Sequence, residues 1–284
     1  MTYRIVNSGA DRGAWLAARQ SGVTATDVSR LAAGGAAVIE AIKAEKSGLG
    51  RDFDSPVMRH GREREPVIAA YAEAFNFVHS TALLAAGDRP EFLATPDLLG
   101  MKTVGEIKTT VHDWQSVEDV PKRYLDQVQW QMRVTESARC FLFFEPHEGF
   151  VPLYPDPKHF IIARDDERIA ELERIADEFL ASDANPDPDA AELDALLSAY
   201  ADADELAAPL IARRDEARRA IEEFIHGEPR KFPGSRALLT RSEDGVRKTF
   251  APTALRADHP DLYESYTTEM PVKGRLTITV RGAE

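Results

Sequence analysis

Phe92-Leu-Ala-Thr-Pro-Asp97, followed by Val104-Gly-Glu106-Ile-Lys108-Thr109, is the stretch whose reading decides the fold. In an extended chain, residues two apart point to the same side with Cα atoms ~6.6 to 7 Å apart. A strand over 104–109 therefore turns Glu106 and Lys108 toward one site and Ile107 toward the core. If Asp97 ends the preceding strand and residues 98–103 turn back, its carboxylate meets Glu106, and two carboxylates and a lysine converge. Hard divalent cations such as Mg²⁺ or Mn²⁺ take oxygen ligands, which Asp97, Glu106 and the backbone carbonyl of Ile107 would supply. A lysine beside the cation can orient or help deprotonate a water, whose pKa the cation lowers while neutralising charge on phosphate. The set suits hydrolysis of a phosphodiester. A bare D…E-x-K pattern also arises by chance, from a turn aspartate and an exposed Glu–Lys pair on a strand edge, so its surroundings must decide.

Those surroundings are mixed. Upstream, Trp15 to Arg19 and Thr26 to Ala33 read as short helices, the second opened by Thr26 or Thr24 as N-cap with Asp27 in its first turn. Residues 56–75 read as a long helix with Pro56 near its start, and strands are expected at Thr81 to Ala85 and Phe92 to Pro96 as well as Val104 to Thr109. Downstream, Leu125, Val128 and Met132 mark a helix over 121–134, and Cys140-Phe-Leu-Phe-Phe144 a buried strand. This order predicts an α/β fold, a mixed central sheet flanked by helices.

Prolines 152, 155 and 157 stop regular structure, which places a domain boundary near 160–165 and divides the chain into a core, 1–162, and an appendage, 163–284. The appendage reads as two amphipathic helices, Glu167 to Leu180 and Ala190 to Phe224, the second broken or bent around Pro209. They are expected to form an antiparallel hairpin. A small β tail follows, with strands at Arg236 to Thr240, Gly245 to Phe250 and Gly274 to Val280. There is no internal repeat.

With 35 Lys+Arg against 48 Asp+Glu among 284 residues, the net charge is −13, which on its face argues against a nucleic-acid partner. The total misleads. Between Asp165 and Glu205 lie 15 acids and two bases, a net of −13, so the rest of the chain is balanced and residues 1–160 carry only −3. The acidic helices are accordingly expected to face solvent or a protein partner and to stay off any DNA path. A hydrophobic share of 43% excludes a disordered chain, and the longest apolar runs fall short of the ~18 to 20 residues of a membrane span. The lone Cys140 excludes an internal disulfide, a cysteine zinc site and a four-cysteine iron–sulfur cluster. The first residues lack an apolar signal core, so a cytoplasmic location is expected.

Four blocks in order resemble the YqaJ-like viral recombinase family, the phage lambda-type exonucleases of the PD-(D/E)XK nuclease superfamily. They are Trp15-Leu-Ala-Ala-Arg19 with Val23-Thr-Ala-Thr-Asp27; Gly61-Arg-Glu-Arg-Glu65-Pro66 with Tyr71; Ala94-Thr-Pro-Asp97 with Glu106-Ile-Lys108-Thr109; and Val120-Pro-Lys-Arg-Tyr124 with Gln127-Val-Gln129-Trp-Gln131-Met132. The resemblance covers roughly residues 12–145 and implies a restriction-endonuclease-like core. By it, Asp97, Glu106 and Lys108 fall on the catalytic triad, Glu65 on a helix carboxylate that helps bind metal, and Gln127 on a glutamine beside lysine and phosphate. Arg19, Thr26 and Thr95 fall on positions that contact the 5′-terminal phosphate, and Arg62 belongs to the bases around the site. Leu98 departs from the small residue common after the aspartate, and Ala33-Gly-Gly-Ala-Ala lacks the usual loop pattern.

The resemblance implies an enzyme that degrades one strand of linear duplex DNA from its 5′ end, leaving a 3′ single-stranded tail for recombination. It further implies two Mg²⁺ or Mn²⁺ ions, double-stranded DNA ends as partner, a single-strand annealing protein, and a ring-shaped homo-oligomer. Two alternatives stay open: another PD-(D/E)XK nuclease, such as an endonuclease or a Cas4-like enzyme without the cluster, or a DNA-end or partner-binding protein without activity. On local grounds Trp15 and Trp130 read as core residues, and Arg213, Arg214, Arg218 and Arg219 as partners of nearby acids.

Overall fold

The structure, a computed structural model, describes residues 3–50 and 54–280. Strand β1 (Tyr3–Asn7) precedes helices α1 (Arg12–Arg19), α2 (Ala25–Ala33) and α3 (Ala36–Lys46). Helix α4 (Pro56–Ala72) runs into a 3-10 turn, Glu73–Phe75, and then come short strands β2 (Val78–His79), β3 (Leu83–Ala86), β4 (Leu93–Ala94) and β5 (Leu98–Gly100). β6 (Thr103–Thr110), a 3-10 turn at Val117–Asp119, α5 (Lys122–Thr135), β7 (Arg139–Glu148), β8 (Val151–Pro152) and β9 (Lys158–Ala163) follow. The remainder comprises α6 (Asp166–Ala181), α7 (Pro188–Phe224), β10 (Arg230–Pro233), β11 (Leu238–Arg241), α8 (Pro252–Asp258) and α9 (Pro260–Tyr266).

Local chemistry sets the helix starts. The Asp11 carboxylate accepts from the Ala14 N–H to cap α1, and Ser55 caps α4 with Pro56 in the first turn. Thr24, rather than Thr26, caps α2. Its hydroxyl accepts from the Asp27 N–H at 3.3 Å while the Asp27 carboxylate accepts from the Thr24 N–H at 2.8 Å, satisfying two otherwise orphaned donors.

The central sheet runs β2-β5-β6-β7, with β9 and then β8 along the far side of β7; β6 and β7 are parallel and the other pairs antiparallel. Because side chains alternate, Cys140, Leu142 and Phe144 of β7 pack with Val128 and Met132 of α5, whereas Phe143 and Ile107 pack with Ile68, Ala69 and Ala72 of α4. Each face of the sheet thus has its own helix. A smaller antiparallel sheet, β1-β3-β4, joins α2, α5 and α6 around the fully buried Trp130 and Phe92. Leu98 stands opposite Gly105, so Asp97 reaches the level of Glu106 across the β5–β6 pair. A Cβ at Gly105 would lie 2.9 Å from the Leu98 Cβ, and only glycine permits this approach.

Several expectations about the later chain need correction. Leu172, Ala176 and Phe179 of α6 lie in the same hydrophobic cluster as Trp130, so the first compact unit runs past the expected boundary at 162/163 and reaches Pro209. The helices do not chiefly pair as a hairpin: α6 packs on α2 and α5, and Ala191 of α7 on Ala41 and Ala44 of α3. Helix α7 is also unbroken at Pro209. From Leu210 a second unit begins, in which β10 and β11 form a hairpin. The expected strands at 245–250 and 274–280 are absent, because the alternation of Leu276, Ile278 and Val280 meets no partner strand; Leu276 stays 84% exposed. β1, α3, β5 and β9 were not apparent from sequence patterning.

Candidate active site

A cleft of about 600 Å³ opens over the edge of the β5–β6 pair. Alternation on β6 sends Glu106 and Lys108 into it, and Asp97, immediately before β5, joins them while accepting from the Ile107 N–H at 2.8 Å. Glu106 is buried and heavily held. Lys108 Nζ and Gln127 Nε2 both donate to its Oε1, the latter at 2.6 Å, and Gln131 Nε2 donates to Oε2 at 2.6 Å. The two amides stand one turn apart on α5, a spacing that aims both at one strand residue.

The electrostatics follow from crowding. Burial first, and then the Glu106 and Glu65 carboxylates, push the Asp97 carboxyl well above the usual range, with Lys108 and the Ile107 N–H opposing. Burial works against charge on Lys108, yet Glu106 and Asp97 outweigh it and hold the ammonium protonated well beyond the ordinary lysine value. Lys108 also sits 5.0 Å from the Tyr124 ring centre, a cation–π contact. Among the described residues no three acidic, histidine or cysteine side chains converge closely enough to cage a metal unaided. Two crowded carboxylates offering hard oxygens nevertheless fit Mg²⁺, which is ordinarily held through one or two carboxylates with waters and substrate phosphate completing its shell.

To the same cleft α1 supplies Arg12, Trp15 and Arg19, α2 supplies Thr26, and the segment after β4 supplies Thr95. Arg19 has no ion-pair partner among the described residues. Its guanidinium lies 4.5 Å from the Trp15 ring centre, and burial lowers its pKa despite the attraction of Asp27 and Glu45. The Thr95 hydroxyl and the Trp15 indole N–H are buried without hydrogen-bond partners. A guanidinium without a direct ion pair among the described residues, in the same cleft as an unmatched hydroxyl, suits an anionic group.

The cleft therefore gathers Asp97, Glu106, Ile107, Lys108, Glu65, Gln127, Arg19, Thr26 and Thr95, but not Arg62. Arg62 sits outside, half exposed, and pairs with Asp54 at 2.7 Å. Neighbouring α4 bases are also engaged: Arg64 bonds both oxygens of the buried Glu145, and His60 is buried against His147. Glu65 lines the cleft, yet its Oε1 faces His79 Nε2 at 2.8 Å, away from a three-carboxylate grouping with Asp97 and Glu106. Trp15 packs against the buried Leu83, Ala85 and Leu93 and also lines the cleft, while Trp130 is buried with its N–H donating to the Leu93 carbonyl. The largest correction concerns the acidic stretch. Asp202 of α7 lines the cleft, and Glu205 pairs with His112 at 3.0 Å and Arg123 at 3.5 Å, so this part of the helix does not face away from the site. Arg214 and Arg218, in contrast, pair with Asp215 and Glu222 as expected.

A parallel-and-antiparallel sheet between two helices, with an aspartate at one strand's start and Glu-x-Lys along the next, is the PD-(D/E)XK nuclease fold. Residues 14–138 match the family model of the YqaJ-like viral recombinase domain. Among solved structures, LHK-Exo in complex with dAMP is 27% identical, with a TM-score of 0.50 over 60% of this chain and 91% of that one. A second structure, of the alkaline exonuclease LHK-Exo from Laribacter hongkongensis, is 28% identical with a TM-score of 0.49 over the same shares. No curated protein matches the chain.

Proposed function

We propose that this protein is a metal-dependent DNA exonuclease that hydrolyses one strand of linear duplex DNA from its 5′ end, leaving a 3′ single-stranded tail for phage-type recombination. The supporting observation is the sharing of one cleft by the Asp97–Glu106–Lys108 group and by Arg19 and Thr95, the one without a direct ion pair among the described residues and the other with a buried hydroxyl that has no hydrogen-bond partner. Its 27% identity to LHK-Exo points the same way. Asp97 and Glu106, with the Ile107 carbonyl and aid from Glu65, would hold one or two Mg²⁺ or Mn²⁺ ions, which when bound lower the pKa of a water and offset charge on the phosphate. Lys108, kept protonated, positions the attacking water by donating to it. Gln127 and Gln131 fix the Glu106 carboxylate so that its rotamer does not drift during turnover. Arg19 grips the terminal phosphate with its fork of donors, and Thr26 and Thr95 add hydroxyl donors. These residues all fall within the first compact unit, which runs to Pro209. A ring-shaped homo-oligomer threading the duplex, and an annealing protein receiving the 3′ tail, complete the reading.

The test is one plasmid presented as a covalently closed circle and after linearisation, in Mg²⁺, with each strand labelled at a known end. The proposal expects the circle to survive while the linear form loses label from its 5′ ends first. Ready cutting of the circle would instead make the protein an endonuclease of the same fold, and loss from 3′ ends would reverse the polarity.

A further inference from the structure

We propose that Arg123, His112 and the Ser55 hydroxyl form a backbone-phosphate site at the mouth of the cleft, and that Glu205 and Asp202 of α7 occupy it without DNA as stand-ins for phosphates. The inference rests on the reading of the cleft as a DNA-cleaving site. Arg123 touches the catalytic group through one ring: its guanidinium lies 4.6 Å from the centre of Tyr124, the ring that also carries Lys108. His112 lies two residues past the end of β6. A duplex whose scissile phosphate lay over Lys108 would carry its next phosphates past His112 and Arg123, both partly exposed. In their present arrangement these donors are held by carboxylates, Glu205 on His112 and Arg123, and Asp202 accepting from the Ser55 hydroxyl at 3.2 Å, which leaves Ser55 buried beneath α7.

The way α7 is held suits a displaceable occupant. In its length Ala191 alone among the described residues is buried, whereas Leu193, Leu196, Leu197 and Tyr200 remain 42–57% exposed. Past Ala191 its contacts with the neighbouring elements include polar ones, Asp194 on Arg30 at 2.7 Å and then Asp202 and Glu205. The Glu205 pairs with His112 and Arg123 are partly exposed and hold less firmly than buried ones, and a polyanion that brings several phosphates at once outcompetes two carboxylates. Asp202 also sits there against its preference, since burial and the nearby Glu205 raise its carboxyl pKa.

The experiment measures binding of a fluorescent 5′-phosphorylated duplex in Mg²⁺ as a function of salt, with every protein carrying Lys108→Ala to silence cleavage. Asp202→Asn with Glu205→Gln should tighten binding about three- to tenfold at low salt, the gain shrinking as salt rises. Glu171→Gln with Glu178→Gln, which removes two charges elsewhere on the first unit, should change it less than about twofold. Arg123→Ala should cost more affinity when added to the Asp202→Asn, Glu205→Gln protein than when made without those changes, and should lower the salt slope by roughly one. Unchanged or weaker binding on neutralising Asp202 and Glu205 overturns the inference, as does an equal gain in the control, and either leaves the nuclease reading standing. Failure of every protein to bind the duplex overturns both.

Discussion

Glu106 takes three donors on two oxygens, an arrangement that fixes a carboxylate in one orientation before any metal arrives. Replacing Lys108 by alanine should lower the cleavage rate by at least about 10²-fold with the circular dichroism spectrum unchanged, because it removes the donor that positions the attacking water while Gln127 and Gln131 still hold Glu106. Replacing Gln131 by leucine should act differently, raising the Mg²⁺ concentration for half-maximal activity by about 10- to 100-fold while activity at saturating metal largely recovers. Asp27 offers a pH test away from the metal ligands. Although burial opposes its charge, Lys46 at 2.8 Å and the Thr24 donors pull its carboxyl below the usual range. A depressed carboxyl contributes stability that is fully present above the unfolded value of about 3.9 and is lost as pH falls through the lower folded value. Urea midpoints of the wild type should therefore fall between about pH 5 and 2 more steeply than those of Asp27→Asn, and parallel curves would contradict this account.

The pairing of β5 with β6 fixes how closely Asp97 approaches Glu106, and Gly105 is the residue that allows it. Gly105→Ala should destabilise the protein by about 1–3 kcal/mol in denaturant melts, through overpacking against Leu98, and should reduce activity further by spreading the two carboxylates. The docking of α4 on β7 has a comparable pin in Arg64 and Glu145, where Arg64→Ala leaves a buried carboxylate unpaired and should cost about 3–5 kcal/mol. Much of this framework is legible in the chain. The period-two pattern of 104–109 and the helical period of 121–134 reveal β6 and α5, and their crossing brings Gln127 and Gln131 to Glu106. What escapes is what other elements contribute. β5 is only three residues long, too short for a pattern, and His79 reaches Glu65 only because β2 pairs with β5. Isolated strand patterns in the tail promised pairing that no partner supplies.

Over the whole molecule, the net charge of −13 is the feature whose meaning the structure alters most. Placed residue by residue, it leaves residues 1–160 nearly balanced, yet α7 returns Asp202 and Glu205 to the cleft. An acidic run reads from sequence as a solvated face because nothing local records the distant arginine and histidine that it meets. No described helix is long and apolar enough to cross a membrane. At the heart of the account is the proposal that the groups for hydrolysis and for gripping a DNA end share one cleft, which makes the end itself part of what the enzyme would recognise. The most direct measurement compares initial rates on linear duplexes that differ only in a 5′-phosphate or a 5′-hydroxyl, for the wild type and for Arg19→Ala. The account predicts that the wild type cleaves the phosphorylated duplex at least about tenfold faster and that Arg19→Ala erases the difference, in keeping with the loss of a charge-assisted bidentate contact. Equal wild-type rates on the two ends would contradict it.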